Sequence, residues 1–386
     1  MKIAYLSTFY PYRGGIAQFN AALYGALQNR GHKVTPYTFF RQYPELLFPG
    51  KSQMVQPGDN AEVIESVKIL DTANPISFIR AANKIKAGKP DVYLTKFWMP
   101  YFAPSLGKVA KSLKQSDLGC LNISILDNVI PHEKRTGDMA FIKYFIKNND
   151  AFIVMSTKVK EDLLKIDPNA VFEYHVHPLY DHFGDKLDKA EARKKLGVPE
   201  HSKTLLFFGF IRKYKGLDLL IRTLYDLPDD YHLVIAGETY EDFEPYQKMI
   251  NDLRLQDRVS LNIRYINDEE VPTFFSAADA CVLPYRSATQ SGIVGISYHF
   301  DLPLIATKVG GLEEMIGNYQ TGIMAEHADR ESLKAAILKY FNSGKIQEYS
   351  QNIGKYKEIA SWESLAGAVE KLYDRALQAK ANKMYP

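Results

Sequence analysis

Residues 2–38 of the chain, KIAYLSTFYPYRGGIAQFNAALYGALQNRGHKVTPYT, form one complete strand–loop–helix–strand pattern. Residues 2–7 are a short apolar run, and a loop with proline and glycine follows. Residues 17–30 carry apolar side chains at helical spacing, and Gly31 ends that helix. Residues 32–38 have the composition of a second strand. A β-α-β unit of this kind predicts a parallel sheet.

The same alternation of strand and helix continues in two successive arrays. The polar residues 177–200 separate the arrays, and we place a hinge near residues 179–184. The predicted fold class is therefore α/β, with one Rossmann-like domain for each array. The tail at residues 361–379 has a single apolar stripe, which predicts an amphipathic helix. Further strands are predicted at residues 91–94, 121–126, 151–155, 205–208, 232–236, 259–262, 280–283 and 304–307, and helices of the second array at residues 217–224 and 269–277.

The composition is that of an ordinary globular protein. The 386 residues are 46% hydrophobic and 24% charged, which excludes a disordered chain. At roughly 150 residues per domain, the length favours two to three domains. The formal net charge of +3 is too small to indicate nucleic-acid binding, and we expect no nucleic-acid partner.

The cysteines and the opening residues bear on the compartment. Cys120 and Cys281 both lie in apolar runs, so a disulfide framework and a thiolate metal site are excluded and a reducing cytosol fits. The opening residues lack the apolar core of a signal peptide, and no apolar run is long enough to span a membrane. We therefore expect a cytoplasmic protein.

Two loops with glycine occupy matching places in the two arrays. Gly14 and Gly15 lie before the first helix, where a backbone without side chains and a helix start can approach a phosphate. That loop has neither a dinucleotide fingerprint nor a Walker sequence, and a tight turn is the alternative. The stretch FFGFIRKYKG places Arg212 and Lys215 after a strand, where cations suit a diphosphate. A solvated basic turn is the alternative there.

Two polar stretches also follow predicted strands. In LPYRSATQSGIVGISYHFDLP, Ser291 and Gly292 open a helix whose start can bind an anion, and helix capping is an alternative compatible with that role. In ILDNVIPHEKR, Asp127 and His132 follow a strand at its carboxyl end, where ligands bind in open α/β sheets. A histidine there can act as acid, base or donor to a sugar hydroxyl, and a capped turn with a surface histidine is the alternative.

Taken together, these motifs resemble the family-4 retaining glycosyltransferases of the GT-B fold over nearly the whole chain. RGHKV at residues 30–34, FFGFIRKYKGLDLLI and ADACVLPYRSATQSGIVGISYHFDLPLIATKVGGLEEMI are similar to that family's motifs in order and spacing. The resemblance implies two Rossmann-like domains facing a central cleft, with the acceptor on the first and the nucleotide-sugar on the second. It also implies that the final helix crosses back to the first domain. We therefore expect domains at residues 1–180 with 361–386 and at residues 181–360.

The resemblance implies roles residue by residue. Lys215 matches the lysine on the donor diphosphate, whereas Arg212 lies slightly off the usual arginine position, which Phe210 occupies. Tyr265 and Ile266 match the loop that binds the base, and the family's N-domain His or Asp near the sugar falls in the Asp127–His132 stretch. The expected catalytic residues are Asp127, His132, Arg212 and Lys215, and the expected donor-binding residues are Gly14, Gly15, Arg212, Lys215, Glu238, Tyr265, Ile266, Thr289, Gln290, Ser291, Gly292 and Ser297.

The family's Glu-x7-Glu pair is absent from the long block. Aligned on Gly292, its positions are Thr289 and Ser297, and an alignment shifted by one residue gives no acid either. Gln290 can replace hydrogen bonds but not a negative charge. The lost carboxylates motivate a second hypothesis, a non-catalytic nucleotide-sugar-binding relative that acts as a partner or regulator. A GT-B epimerase or hydrolase is a third.

The resemblance implies hexosyl transfer to a glycan or lipid-linked acceptor in cell-envelope or exopolysaccharide synthesis. It also implies a front-face route that retains the configuration of the sugar. No Asp-x-Asp metal motif is present, and the nucleotide-sugar is a substrate. We therefore expect neither a metal nor a cofactor. KFWMPYFAPSLGKVAKSLK, at residues 96–114, mixes aromatic residues with lysines and could make peripheral contact with the inner face of a membrane. A buried aromatic loop followed by a solvated helix is the alternative.

Overall fold

The chain divides into two compact units in a computed structural model. The first unit comprises Met1–Pro178 with Ala360–Pro386, and the second comprises Leu179–Ile359. The structure describes residues 1–44, 53–55, 62–130, 137–180, 183–239, 242–288 and 291–384. Each unit has its own parallel sheet and its own hydrophobic core.

The first unit is built on a seven-stranded parallel sheet with the strand order β3-β2-β1-β4-β5-β6-β7. Its strands are β1 (Lys2–Leu6), β2 (Lys33–Arg41), β3 (Val67–Asp71), β4 (Val92–Phe97), β5 (Leu121–Leu126), β6 (Ala151–Val154) and β7 (Phe172–Tyr174). Its helices are α1 (Gly15–Asn29), α2 (Pro75–Ala87), α3 (Ala103–Lys114), α4 (Asp138–Asn148), α5 (Thr157–Ile166) and the last helix of the chain, α13 (Trp362–Met384).

The second unit is built on a six-stranded parallel sheet with the strand order β10-β9-β8-β11-β12-β13. Its strands are β8 (Lys203–Phe208), β9 (Tyr231–Ala236), β10 (Val259–Asn262), β11 (Ala280–Leu283), β12 (Leu304–Thr307) and β13 (Gly322–Ala325). Its helices are α6 (Lys189–Leu196), α7 (Leu217–Tyr225), α8 (Glu244–Asp252), α9 (Val271–Ala277), α10 (Gly292–His299), α11 (Arg330–Asn342) and α12 (Ile346–Ile359).

The central strands are covered on both faces, so every residue in β4, β5 and β9 is buried. A parallel sheet is stable only under such cover, because the crossover helices pack on both of its faces. The sequences of its central strands are therefore mostly apolar, and this is why their apolar patterns predicted them. A charged side chain inside such a strand is an exception that needs a partner.

Each sheet reverses its strand order at one point. In the first unit β1 pairs with β2 on one side and with β4 on the other. In the second unit β8 pairs in the same way with β9 and β11. Where the order reverses, the loops leave the sheet in opposite directions and open a crevice at the carboxyl ends of the strands, which is where ligands bind in open α/β sheets.

Three strands that the sequence patterns did not predict all lie at the sides of the sheets. β3 and β7 are the two outer strands of the first sheet, and β13 is an outer strand of the second. They have three to five residues each and include partly exposed positions. A short strand that is covered on fewer sides needs no continuous apolar run, so its sequence signal is weak.

Helix α13 belongs to the first unit and packs against α1 and the β5–β7 strands. The Trp362 ring meets the Phe19 ring edge-on, with 5.0 Å between the ring centres. Arg30 makes two hydrogen bonds to the Glu370 carboxylate, and His32 Nε2 lies 2.7 Å from the same carboxylate. The last helix is therefore joined to the first β-α-β unit by both apolar and charged contacts.

Replacing Gly322 by alanine is expected to destabilise the second unit by about 3 kcal/mol. A Cβ at Gly322 would lie 1.9 Å from the backbone oxygen of Leu304 in the neighbouring strand, so the strands would have to separate. Urea unfolding measures the effect. The control is Gly354→Ala within α12, where a Cβ meets nothing within 4 Å and alanine is the better helix former. Equal unfolding midpoints for the two variants would contradict this account.

Candidate functional site

The carboxyl edge of β8 carries a buried lysine. Lys215 ends a short 3-10 helix, Lys213–Lys215, that follows the strand, and only 9% of the residue is exposed. Its Nζ lies 5.7 Å from the centre of the Tyr285 ring. Burial, and then the charge of Arg212, lower the pKa of Lys215, and no carboxylate of the described residues acts on it. A buried cation in this state is well suited to receive an anion.

Arg212 and Lys215 lie on the same loop, as the sequence predicted. Arg212 comes directly before the 3-10 helix and is exposed, whereas Lys215 is buried. Phe210, at the position of the family's usual arginine, is 42% exposed. The loop therefore carries one exposed cation, Arg212, and one buried cation, Lys215.

The start of α10 lies beside the same tyrosine. Ser291 is the N-cap residue, is 8% exposed and makes no capping hydrogen bond, so the side-chain cap considered as an alternative is not formed by this residue. Its Oγ lies 3.2 Å from the Tyr285 hydroxyl. Gly292 is exposed at the first position of the helix. Because Tyr285 contacts Ser291 and also lies under the Lys215 ammonium, it connects the helix start with the buried cation.

The other predicted donor residues are placed unevenly. Glu238 and Tyr265 follow β9 and β10 at the carboxyl edge of the sheet, where Glu238 is half-buried and Tyr265 is 61% exposed. Ile266 is buried next to Tyr265. Thr289 and Gln290 lie outside the described residues, so their role stays a prediction.

Ser297 is a correction to the predicted donor site. It is fully buried in α10, and its hydroxyl donates to the Leu302 carbonyl at 2.7 Å. That hydrogen bond ties the helix to the turn before β12, so the hydroxyl has no access to a ligand at the surface. The alignment that put Ser297 at an acidic position of the family was therefore no guide to its contacts here.

In the first unit, Gly14 is the N-cap residue of α1 and Gly15 is the first residue of that helix, so α1 begins two residues before its predicted start. Gly14 has a φ of 101°, which glycine adopts without strain, so the tight turn considered as an alternative is present. A Cβ at either glycine would meet nothing within 4 Å, so the space beside the loop is open. The turn and an approach by a phosphate are therefore compatible.

A buried asparagine holds the loop that precedes these glycines. The Asn20 amide, on α1, donates to Ser7 Oγ at 2.9 Å and to the Thr8 carbonyl at 2.8 Å. It accepts a hydrogen bond of 2.6 Å from the Tyr5 hydroxyl. Sequence analysis missed this residue, although a polar side chain on the apolar face of a predicted helix was a detectable signal.

Asp127 follows β5 and forms an ion pair with Lys96, which lies in β4. The Lys96 side chain is 2% exposed and that of Asp127 is 24% exposed. Lys96, Phe97 and Phe102 are interior, so this part of residues 96–114 is a buried aromatic loop, as in the alternative considered above. Membrane contact by the exposed side chains of α3 stays a prediction. Sequence analysis missed Lys96 as a site residue.

His177 lies close to this pair. Burial, and then the positive charge of Lys96, lower the pKa of His177, so its imidazole is neutral near pH 7. Its Nδ1 donates to the Pro178 carbonyl at 2.8 Å, and its ring meets the Phe19 ring at 5.5 Å between centres. Sequence analysis had placed His177 at the start of the polar connection between the arrays and given it no role.

Three further predictions concern His132, metals and the membrane. His132 lies outside the described residues, so its role stays a prediction. Within the residues that the structure describes, no group of three or more His, Cys, Asp or Glu side chains is placed to hold a metal ion. In the same part of the chain, no helix combines the length and apolarity needed to cross a bilayer.

Known proteins share this architecture. A glycosyltransferase from Rickettsia africae ESF-5 superposes with a TM-score of 0.69 at 18% identity, over 97% of this chain and 98% of its own. Anabaena Alr3699/HepE in complex with UDP gives a TM-score of 0.64 at 15% identity, over 99% and 100% of the two chains. An uncharacterized glycosyltransferase of Methanocaldococcus jannaschii is 24% identical over 383 residues, which is 97% of this chain and 98% of that protein.

The two sheets define the fold class, and one part of the chain matches a family model. Two doubly wound parallel sheets, of seven and six strands, are the two Rossmann-like domains of the GT-B fold. Residues 188–359, nearly all of the second unit, match the family model of the glycosyl transferases group 1. Residues 188–359 are therefore similar to the group 1 glycosyltransferases, and both units share the GT-B fold of the solved glycosyltransferase structures.

Replacing Lys215 by methionine is expected to raise the melting temperature of the ligand-free protein. Methionine keeps an unbranched side chain but removes a charge that burial disfavours. The pKa of Lys215 is lowered in the folded protein, whereas the pKa of a lysine in the unfolded chain is about 10.4. The cost of the charge is therefore full below the folded-state pKa and disappears as the pH rises above the unfolded value. The stability advantage of the variant should shrink between pH 7 and pH 10.

The matched control is Lys213→Met on the same loop, because Lys213 is exposed. Its melting temperature should equal that of the wild type across the same pH range. If Lys215→Met melted at or below the wild-type temperature at pH 7, the Lys215 charge would not be a cost to the folded state.

Proposed function

We propose that this enzyme transfers a sugar, with retention of configuration, from a nucleoside diphosphate sugar to a glycan or lipid-linked acceptor in cell-envelope or exopolysaccharide synthesis. The observation that carries the proposal is the buried Lys215 at the strand-order reversal of the second sheet. No described carboxylate acts on this cation, and a diphosphate would supply the missing negative charge. The open glycine loop of the first unit is a further place for phosphate oxygens.

The proposed chemistry develops negative charge on the leaving nucleoside diphosphate. Lys215 and Arg212 would stabilise that charge, together with the N–H groups at the start of α10. Since Lys215 is held at depth and Arg212 at the surface, the two cations would bind the diphosphate from different sides. The anomeric carbon becomes positive as the bond to phosphate breaks, and the acceptor hydroxyl attacks from the same face and passes its proton to an oxygen of the leaving diphosphate. Neither a metal nor a cofactor is part of this scheme.

The sugar and the acceptor would be recognised by groups of the first unit. Asp127 places a carboxylate at the carboxyl end of β5. Carboxylates are good acceptors for sugar hydroxyls, and no other charged group is required for that contact.

Tyr265, exposed after β10 in the second unit, would contact the base of the donor.

A second candidate is a non-catalytic relative that binds nucleotide-sugars. The observation that favours it is the loss of the acidic pair, because the Ser297 hydroxyl is fully used inside α10 and cannot replace a carboxylate. Product formation separates the two candidates. A protein that binds a nucleotide-sugar but transfers it to no acceptor, including water, would be the non-catalytic relative.

Peripheral contact with an anionic membrane is part of the proposal, now assigned to the layer of α2, α3 and α4. These helices pack side by side. Lysines in their last turns suit the helix dipoles and need no other explanation. Arg80, Lys108 and Lys143 lie before the last turns, are exposed, and are accompanied by the exposed apolar residues Ile76, Ile79 and Phe141. Cations mixed with apolar side chains favour an anionic lipid surface.

The donor site is tested by thermal shift with UDP-, GDP-, ADP- and dTDP-glucose. UDP-sugars are the first choice because the Anabaena neighbour was solved with UDP. One nucleotide-sugar at 100 times its Kd should stabilise the wild type by about 2.7 kcal/mol. Lys215→Met should lose at least tenfold in affinity, whereas Lys213→Met should bind normally. Equal shifts for Lys215→Met and the wild type would reject the diphosphate role of Lys215.

Membrane contact is tested by sedimentation with vesicles that contain 30% phosphatidylserine. A triple variant, Arg80→Glu, Lys108→Glu and Lys143→Glu, should bind at least tenfold more weakly, because each cation near an anionic surface contributes about 1 kcal/mol. The control makes the same charge change at exposed lysines of the second unit, Lys194→Glu, Lys339→Glu and Lys355→Glu. Equal binding by the two triple variants would reject this surface.

A further inference from the structure

A lysine lies inside a strand in which every residue is buried. Lys96 is the fifth residue of β4 and is 1% exposed. Lysine is almost never fully buried without a partner, because removing its charge from water is costly. Burial indeed lowers the pKa of Lys96, and the nearby Asp127 carboxylate acts in the opposite direction.

The ammonium is held in place from two sides. Its Nζ lies 3.4 Å from the centre of the Phe19 ring, within cation–π distance, and also forms the ion pair with Asp127. The Phe19 ring is itself fixed by edge-on contacts with Trp362 and His177. Lys96 therefore has one well-defined position, which is set by Phe19 of α1 together with Trp362 of α13 and His177.

Asp127 is held by its backbone as well as by the cation. β4 and β5 pair in register, and the Asp127 N–H donates to the Phe97 carbonyl at 2.9 Å. Lys96 contacts Oδ1 of the carboxylate. Among the described residues, no hydrogen bond engages Oδ2, and the side chain keeps 24% of its surface exposed. One carboxylate oxygen is thus bound to the interior while the other is available at the carboxyl edge of the sheet.

Stability alone does not account for this pair. The desolvation of two charges often exceeds their attraction, and apolar replacements of similar size are frequently neutral or stabilising. The surroundings are apolar or neutral, since Phe19 and Trp362 are aromatic and the pKa of His177 is lowered. An apolar residue at position 96 would suit such surroundings as well as lysine does.

We propose that Lys96 is a positioning residue, which orients the Asp127 carboxylate so that its outward oxygen accepts a hydrogen bond from a sugar hydroxyl. The inference rests on the proposed function, because it takes the carboxyl edge of the first unit to be where a sugar is bound. Lys96 itself touches no substrate. The hydroxyl belongs either to the transferred sugar or to the acceptor, and the experiment separates these two sources.

The test is a double-mutant cycle with Lys96→Met, Asp127→Asn and the variant that combines them. Each single variant should lose about 10²-fold in kcat/KM, the usual effect of a misplaced group at a reacting centre. The combined variant should lose no more than Asp127→Asn alone, because Lys96 acts only through Asp127. An increase in the KM of the donor assigns the hydroxyl to the transferred sugar, and an increase in the KM of the acceptor assigns it to the acceptor.

A matched control uses a lysine in a similar local arrangement elsewhere. Lys203 forms a 2.9 Å ion pair with Asp230 and lies 4.9 Å from the Tyr231 ring centre, at the amino end of β8. Lys203→Met should keep wild-type kinetics. Melting temperature shows whether each variant is folded, and the thermal shift with UDP shows whether it keeps the nucleotide site proposed at Lys215 of the second unit.

Two further variants keep the test decisive if Lys96→Met does not fold. Lys96→Arg retains the charge and can stack on Phe19 while binding the carboxylate, so it should recover at least tenfold of the lost activity. Phe19→Leu retains both charges but removes the ring under the ammonium, and it should change the same KM as Asp127→Asn.

The outcomes separate this inference from the proposed function. A wild type that transfers sugar while Lys96→Met stays within twofold of it overturns the role of Lys96, and so does a combined variant whose loss is the product of the single losses. If the wild type binds the donor without transferring it, the gain in affinity of the nucleotide-sugar over the bare nucleotide replaces kinetics as the readout. Loss of that gain in both Lys96→Met and Asp127→Asn assigns the hydroxyl to the transferred sugar. If the gain persists, both variants should bind the acceptor more weakly than the wild type does, and unchanged affinity for both ligands would reject the inference.

Discussion

Parallel strands that are covered on both faces are the constraint on which this molecule depends. Inside such a sheet the strands satisfy their backbone hydrogen bonds with one another, and their side chains must be apolar because water reaches neither face. Polar chemistry is therefore displaced to the loops at the strand ends. The reversals of strand order at β1 and β8 then leave room for a ligand at two of those places.

The same constraint explains how far the sequence could predict the fold. The limits of β5, β10, β11 and β12 coincide with the predicted ones. β5, β11 and β12 are fully buried and mostly apolar, whereas β10 is an outer strand, VSLN, with partly exposed residues. β3, β7 and β13 escaped because they are short outer strands with partly exposed residues. Their places depend on pairing with strands distant in sequence, which no local pattern records.

Sequence analysis predicted the position of a side chain where a motif fixed a loop, but not where a contact depended on the tertiary structure. Arg212, Lys215 and Ser291 were found because each follows a strand or opens a helix, and the structure places them at that edge. Ser297 was misjudged because an alignment position gives no side-chain direction, and its hydroxyl faces Leu302. Lys96 was missed because its partners come from α1 and from the loop after β5.

The two buried lysines show that the two units offer different chemical groups to a ligand. Lys96 has an internal carboxylate partner, so the first unit presents the outer oxygen of Asp127, an acceptor of hydrogen bonds. Lys215 has an aromatic neighbour and a nearby arginine but no described carboxylate acting on it, so the second unit presents an unsatisfied positive charge. A hydroxyl-rich ligand suits the first surface and an anionic one suits the second. The proposed donor, a nucleoside diphosphate sugar, carries both hydroxyls and an anionic diphosphate, so its chemistry matches the groups that each unit presents by itself.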